Sequence, residues 1–366
     1  MGKEGLKEAI AQFAPQFKEE DAKLYGNGHI NDTYRLVAKG QKPLILQRLN
    51  TYVFKQPEEV MENICLVTDY LRKQIEKNGG DPDRETLSVI RTVTGEPWYR
   101  DAFGGFWRCF PLIEGTLSYD RAETDELFYE SALAFGRFQH LLDNFPAEKL
   151  HETIPHFHDT ASRLRDLKKA AEEDVCGRAA SVKEEIDFAF AHEDLANVLG
   201  DALARGELKL RVTHNDTKLN NVLMDEKTGK GICVVDLDTV MPGLPAHDFG
   251  DAVRFGASTA DEDEPDVSKV HIDMDLYRVY LKGYLEGCGN SLTAAEIASL
   301  PAGAVAMAYE LGMRFLTDYL QGDVYFKTAH ENHNLERARA QFALAADMEK
   351  HRGEMLEAAL CAGGKQ

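Results

Sequence analysis

No C-x-x-C pair occurs anywhere in this 366-residue chain, and its six cysteines (Cys65, Cys109, Cys176, Cys233, Cys288 and Cys361) are scattered. A disulfide framework belongs to small secreted chains and a zinc site needs clustered ligands, so reduced thiols are expected. No apolar run has the length needed to cross a bilayer. The first residues, MGKEGLKEAIAQFAPQF, are charged and spaced like an amphipathic helix, without the apolar centre and small-residue cleavage site of a secretory signal. A cytoplasmic location is the expectation. Positive charge is also scarce, with 42 Lys and Arg against 62 Asp and Glu and a formal net charge of -20. Such a surface repels phosphate backbones and anionic lipid, which argues against nucleic acid and membranes as partners. No obligatory protein partner is evident either.

What is present divides into two parts. From Leu24 to Arg48 the residues alternate in strand fashion around a polar turn at Lys39 to Lys42. Val60, Ile64, Val67, Leu71 and Ile75 recur at helical spacing and predict a helix over Glu58 to Lys77. Further strands are expected at Leu87 to Thr92 and Phe106 to Ile113. Beyond Gly115 the pattern turns helical over Glu123 to Leu142, Glu184 to Arg205, Met274 to Leu285, Leu292 to Leu320 and Leu335 to Leu360. Thr293 and Glu296 are spaced as a capping box. Leu208 to Asp238 is the one strand-like island. The expectation is an α+β protein with a small β-rich domain over residues 1–113 and a larger, mainly helical one over 114–366.

The chemistry concentrates in VTHNDTKLNNVLMD and the following ICVVDLDTVMPG. Phosphoryl transfer to a hydroxyl needs a carboxylate to orient the hydroxyl and accept its proton, and oxygen ligands to hold magnesium on the phosphates. Asp216 with Asn221 five residues on has the catalytic-loop spacing, His214 and Asn215 precede it, and a strand then delivers Asp236. A β-hairpin rich in capping Asn and Asp explains Asn220 or Asp225, but not this ordered set. An acidic chain that handles ATP also needs a divalent cation, here Mg2+.

These elements resemble the aminoglycoside-phosphotransferase and choline-kinase group, which implies a protein-kinase-like bilobal fold. GNGHINDTY, ILQRLNT, HETIPHFHDT, RVTHNDTKLNN, DLDTVMPG, DFGDAVRFGAST and GMRFLTDYLQGDVYF extend the likeness to the bacterial N-acetylhexosamine 1-kinases over residues 20–345. That resemblance implies ATP-dependent phosphorylation of the anomeric hydroxyl of GlcNAc or GalNAc. By it, Asp216 is the catalytic base, Asn221 and Asp236 are magnesium ligands, and Asp238 assists through water. Asp216, Thr239, Arg314 and Tyr325 contact the sugar, while His214 and Asp248 support the catalytic loop. A hydroxyl, a forked donor and an aromatic edge suit a neutral, hydroxyl-rich ring. Arg314 and Asp318, four apart on a helix, otherwise read as a surface ion pair. Alternatives remain: an aminoglycoside, choline or homoserine kinase, or a pseudokinase acting as a binding module.

For ATP, Gly26 and Gly28 form part of a glycine-rich lid, with Asn31 standing where a third glycine is usual. His29 and Asn31 are candidate donors to phosphate oxygens; a plain hairpin turn is the other reading. The usual third-strand lysine falls on Gln47, and nothing in the sequence says what replaces it. CFPLIEG resembles the hinge that binds adenine, with Pro111 offering its carbonyl and Ile113 its N–H. Two metal readings are set aside. STADEDEPD lacks the turn glycine of a calcium loop. His151, His156, His158 and Asp159 lack standard zinc spacing.

Overall fold

The structure is a computed structural model and describes residues 5–26 and 30–364. In chain order the elements begin with α1 (Leu6–Phe13), β1 (Ala22–Leu24), β2 (Asp32–Leu36), β3 (Leu44–Leu49), α2 (Pro57–Lys77) and α3 (Pro82–Glu85). β4 (Tyr99–Arg100), β5 (Phe106–Pro111), β6 (Thr116–Leu117), α4 (Asp125–Leu141), α5 (Thr160–Glu173), α6 (Lys183–Ala191) and α7 (Glu193–Ala204) follow. Next come β7 (Arg211–Thr213), β8 (Val222–Asp225), β9 (Gly231–Val234) and β10 (Met241–Gly243). The chain closes with α8 (Pro245–Gly256), α9 (Met274–Cys288), α10 (Ala294–Gln321), α11 (His333–Lys350) and α12 (Arg352–Ala362).

Two units are present. The first holds the described residues up to Ser118 together with Asn144–Pro155 and Val222–Pro242; the second holds Tyr119–Asp143, His156–Asn221 and the described residues from Gly243 on. The N-terminal stretch of the first unit thus ends near the sequence division at 113, and two later segments join it.

The first unit is built on an antiparallel sheet in the order β1-β2-β3-β5-β4. Strand alternation sends Leu44 and Leu46 to one face, where they meet Tyr34, Trp107 and Cys109 beneath Leu6, Ile10 and Phe13 of α1. The helix expected from Val60 to Ile75 is α2, opened by Pro57 at its first turn and closed with Lys77 in its last. Its buried stripe contains two polar residues, Thr68 and Asn63, and the Asn63 amide donates to the carbonyls of His151 (2.8 Å) and Val240 (3.0 Å) and accepts from His151 N–H (2.8 Å). The strand expected over 87–92 is not formed, beyond a single bridge between Ile90 and Cys109. The chain turns back through the Thr92–Glu96 pairing, and β4 takes the edge of β5 instead.

In the second unit α10 is the spine, packed by α8, α11, α5, α7 and α12. Thr293 and Glu296 cap its start reciprocally, as their spacing indicates. Glycine permits its closest approach: a Cβ on Gly303 would strike the Ala246 carbonyl of α8. Two helices expected as continuous are each broken. Residues 184–205 divide at His192 into α6 and α7, and 335–360 divide at His351, whose N–H closes α11 and whose carbonyl opens α12. Apolar spacing runs on across both breaks, so periodicity merges them. The helix α8 was not expected, although Ala246, Phe249, Ala252 and Val253 recur at helical spacing; Pro245 through Arg254 are all buried.

Candidate active site

The second unit carries the Asp216 loop. It leaves β7, which is anchored by the buried Arg211: its guanidinium grips Glu296 (2.6 and 2.9 Å), Asp143 and the Ser291 carbonyl (2.6 Å). Asn215 then turns with φ 64°, a left-handed conformation that asparagine tolerates. Asp248 on α8 accepts from the N–H groups of His214 (2.9 Å) and Asn215 (2.7 Å). Burial pushes its carboxyl above the ordinary value, while the His214 ring and these N–H groups pull it down. One turn along the same helix, Asp251 accepts from Thr217 N–H (3.1 Å) and is itself paired with Arg254 (2.8 Å). His214, fully buried against the Phe135 and Phe138 rings, accepts the Asp216 N–H at Nδ1 (3.3 Å). The backbone on both sides of Asp216 is therefore pinned by carboxylates from one rigid helix.

The Asp216 side chain is partly exposed. Lys218 places its ammonium 2.9 Å from Oδ1, and Asn221 donates Nδ2 to Oδ2 (3.2 Å) and to the Asp216 carbonyl (2.8 Å). Asp216, ahead of the burial that works against it, holds the Lys218 ammonium above the ordinary lysine value, so this cation persists at neutral pH. Lys218 was missed in sequence although it lies two residues from Asp216. Asp251, three residues after Asp248 on the same helix face, was missed as well.

Further along this unit, the Arg314 guanidinium lies 5.5 Å from the centroid of the Phe157 ring and 5.5 Å from that of the Phe326 ring. It makes no hydrogen bond or ion pair to any described residue. Tyr325 is 60% exposed, and its hydroxyl is likewise not engaged by any described residue. His158 joins Glu310 (Nδ1 to Oε1, 3.0 Å) and the Asn215 carbonyl (Nε2, 3.3 Å), and Thr160 donates to Glu310 (2.6 Å). Burial raises the Glu310 carboxyl, but His158, Thr160 and Arg314 outweigh it and hold it at about 2. The other histidines of that stretch disperse: His156 pairs with Asp159 (3.2 Å), and in the first unit His151 pairs with Glu62 (2.9 Å).

The His247 ring lies 5.1 Å from His158, with a buried Nδ1 that has no hydrogen-bond partner among the described residues. Burial first, and then the charge of His158, hold its imidazole at about 3, against the pull of Glu310. An unfolded histidine titrates near 6.5. Below that pH the unfolded chain binds a proton that the folded chain refuses, so stability falls as pH drops from about 6.5 toward 3. Urea midpoints measured between pH 7 and 5 should decline less steeply for His247→Gln than for the native chain. Equal slopes would remove His247 from the account.

In the first unit, cross-strand register builds a polar row. Thr33 on β2 faces Gln47 on β3, which faces Arg108 on β5, on the sheet face opposite Leu46. Gln47 donates to Thr33 Oγ1 (3.0 Å) and accepts from Arg108 Nε (2.9 Å). Arg108, 2% exposed, forms an ion pair with Asp238 Oδ1, and Asn31 donates to Asp238 Oδ2 (2.7 Å). Asn31 also accepts from Asn50 N–H (3.0 Å), so it reaches a phosphate only by giving up Asp238. The cation beside Gln47 thus comes from the neighbouring strand, where FWRCFP reads as a plain buried segment. Asp236 is exposed and left-handed (φ 58°) at the head of the short turn Leu237–Thr239, which packs on α2. Pro111 ends β5 opposite Leu44, and the Ile113 carbonyl accepts from Thr116 (2.8 Å). Gly26 is left-handed (φ 80°); Gly28 and His29 lie outside the described residues.

Magnesium fits the donors present. It is a hard cation that takes oxygen ligands. Asn221 spends its Nδ2 on Asp216, which leaves the amide oxygen as the atom it offers, and Asp236 supplies an exposed carboxylate. Asp238, with both oxygens engaged by the protein, suits a water-mediated role.

A small antiparallel sheet unit, a helical unit and an H-x-D loop with Asn five residues beyond the aspartate define a protein-kinase-like phosphotransferase. The chain belongs to the phosphotransferase enzyme family, whose model matches residues 21–281. It is similar to a microcompartment-associated aminopropanol kinase, at 18% identity and TM-score 0.62 over 96% of this chain and 97% of that one. An amicoumacin kinase in complex with AMP-PNP, Ca2+ and Ami is similar at 13% identity and TM-score 0.57, covering 96% and 92%. The choline kinase from Cryptosporidium parvum Iowa II is similar at 15% identity and TM-score 0.56, covering 93% and 92%. At such identities the likeness is one of fold.

Proposed function

We propose that this phosphotransferase transfers the γ-phosphoryl group of ATP, with magnesium, to the anomeric hydroxyl of a free N-acetylhexosamine, giving the sugar 1-phosphate and ADP. The observation that carries the acceptor reading is Arg314: a guanidinium over two aromatic rings, its donors unspent on any described residue, on the same unit as the exposed Tyr325 hydroxyl. Such groups suit a neutral ring rich in oxygen acceptors, with the acetamido carbonyl among them. A cationic acceptor such as choline or an aminoglycoside meets charge of its own sign there, from Arg314 and from Arg163, whose charged form is disfavoured by burial first and by Arg314 next. The seven sequence blocks that resemble N-acetylhexosamine 1-kinases support the same choice.

In this mechanism Asp216 orients the C1 hydroxyl and takes its proton as the phosphoryl group arrives. Lys218 keeps a positive charge against that carboxylate and offers it to the transferring oxygens. Thr239, Arg314 and Tyr325 hold the sugar. Gly26 and Gln47 are assigned to the polyphosphate, together with Gly28 and His29, which lie outside the described residues, while the Pro111 carbonyl and Ile113 N–H are assigned to adenine. Asn221 and Asp236 are the residues that would hold the cation, which when bound would neutralise charge on the phosphates.

The test is a panel of free sugars, choline and an aminoglycoside with ATP and Mg2+, read by phosphorus NMR. N-acetylglucosamine or N-acetylgalactosamine should become a non-reducing 1-phosphate. Phosphate incorporation into a sugar that stays reducing, or into the amines alone, would overturn the acceptor assignment.

A further inference from the structure

At the C-terminal end of α10, Asp318 is 3% exposed and has no ion-pair partner among the described residues. The i, i+4 spacing with Arg314 suggests such a pair, yet the carboxylate turns to the following loop instead. Its Oδ1 accepts the N–H groups of Val324 (2.9 Å) and Tyr325 (2.8 Å). Its Oδ2 accepts the N–H of Phe326 (2.9 Å) and Nδ2 of Asn334 (2.9 Å). Asn334 also donates to Asp323 Oδ1 (2.9 Å), and Arg178 grips the other oxygen of Asp323 (2.6 Å).

One carboxylate bound by three consecutive backbone amides fixes the conformation of all three residues, and charge-assisted bonds of this kind are the strong ones. The consequence falls on two side chains. Tyr325 is held outward, its ring 4.8 Å from Phe326. Phe326 is pressed on Phe315 (4.6 Å), with its ring centroid 5.5 Å from the Arg314 guanidinium. Because the Asp318 carboxylate is saturated by amides, Arg314 is left with its donors for a ligand.

We propose that Asp318 is the positioning residue for acceptor recognition. Without touching the sugar it sets Tyr325 and the ring behind Arg314 in place before binding, so the ordering cost is met in the free protein. The proposal rests on the reading of Arg314 and Tyr325 as acceptor contacts.

Asp318→Asn keeps the shape but turns an amide N–H toward an N–H donor. Hydrogen exchange of the peptide spanning 323–327 should accelerate, with the body of α10 unchanged; this arm needs no substrate. On the acceptor that the native chain phosphorylates in the panel above, KM for the acceptor should rise at least about 10-fold, as for loss of a hydrogen bond to a charged group. KM for ATP should stay within about 2-fold, the contrast expected when only acceptor binding is lost. Asn334→Ala, which removes one donor and keeps the carboxylate, should act in the same direction with smaller effect. Adding Tyr325→Phe to Asp318→Asn should raise acceptor KM by less than the product of the single effects. Faster exchange with an unchanged acceptor KM would overturn the proposal, and so would an equal rise in both KM values. A native chain that phosphorylates no N-acetylhexosamine would instead sink the substrate assignment, leaving the Asp318 test to run on whichever acceptor turns over.

Discussion

Asp216→Asn should lower kcat by at least about 10²-fold, the contribution of a positioned general base. The substitution is nearly isosteric. Its backbone is held by His214 and, through its neighbours, by Asp248 and Asp251, none of which contacts the replaced atom. The amide cannot accept the proton of the attacking hydroxyl, and it faces Lys218 and the Asn221 Nδ2 without a negative charge. Thermal unfolding should change little beside the loss of turnover, because the Asp216–Lys218 pair is partly exposed and pairs of that kind contribute little. ADP release followed alongside a melting curve separates the two effects. Turnover at the native rate would remove Asp216 from the chemistry and favour a binding module.

Arg108→Met should be the most destabilising of the changes considered, by about 3–5 kcal/mol, the usual cost of removing one partner of a buried ion pair. Asp238, 4% exposed, would keep only the Asn31 amide, and Gln47 would lose the donor that orients its carbonyl. Urea denaturation reads the first consequence and kcat/KM for ATP the second. Adding Asp238→Asn removes the stranded charge and should recover part of the stability without recovering ATP use. A double variant no more stable than Arg108→Met would show that the buried pair is not the source of the loss.

How far such residues were legible depended on the range of their partners. The capping box at Thr293 and Glu296 and the helix over Val60 to Ile75 are set by neighbours within a few positions, and both were readable. The Asp216 loop was readable as a motif because catalytic spacing is local too. Its supports were less so: Asp248 was noticed, whereas Asp251 and Arg254 lie on α8 among residues that are buried from Pro245 to Arg254, where their partners are set by the fold. Lys218 could have been found by asking what cation stands beside Asp216.

Arg108 was out of reach for a different reason. Its importance comes from register, which sets it opposite Gln47, and from an ion pair across 130 residues of chain. Asp318 reverses the local expectation altogether. Helical spacing offered Arg314 as its partner, but the chain leaves α10 at Gly322 and folds three amides back onto the carboxylate.

The sequence by itself therefore determined the α+β class, several helix periods and caps, and the spacing of Asp216, Asn221 and Asp236 along the chain, since each depends on side chains a short distance apart. Tertiary structure alone decided which charges are buried together, where the cation beside Gln47 comes from, and what frees Arg314. Those outcomes depend on long-range burial, where an ionised group must find partners wherever the fold provides them.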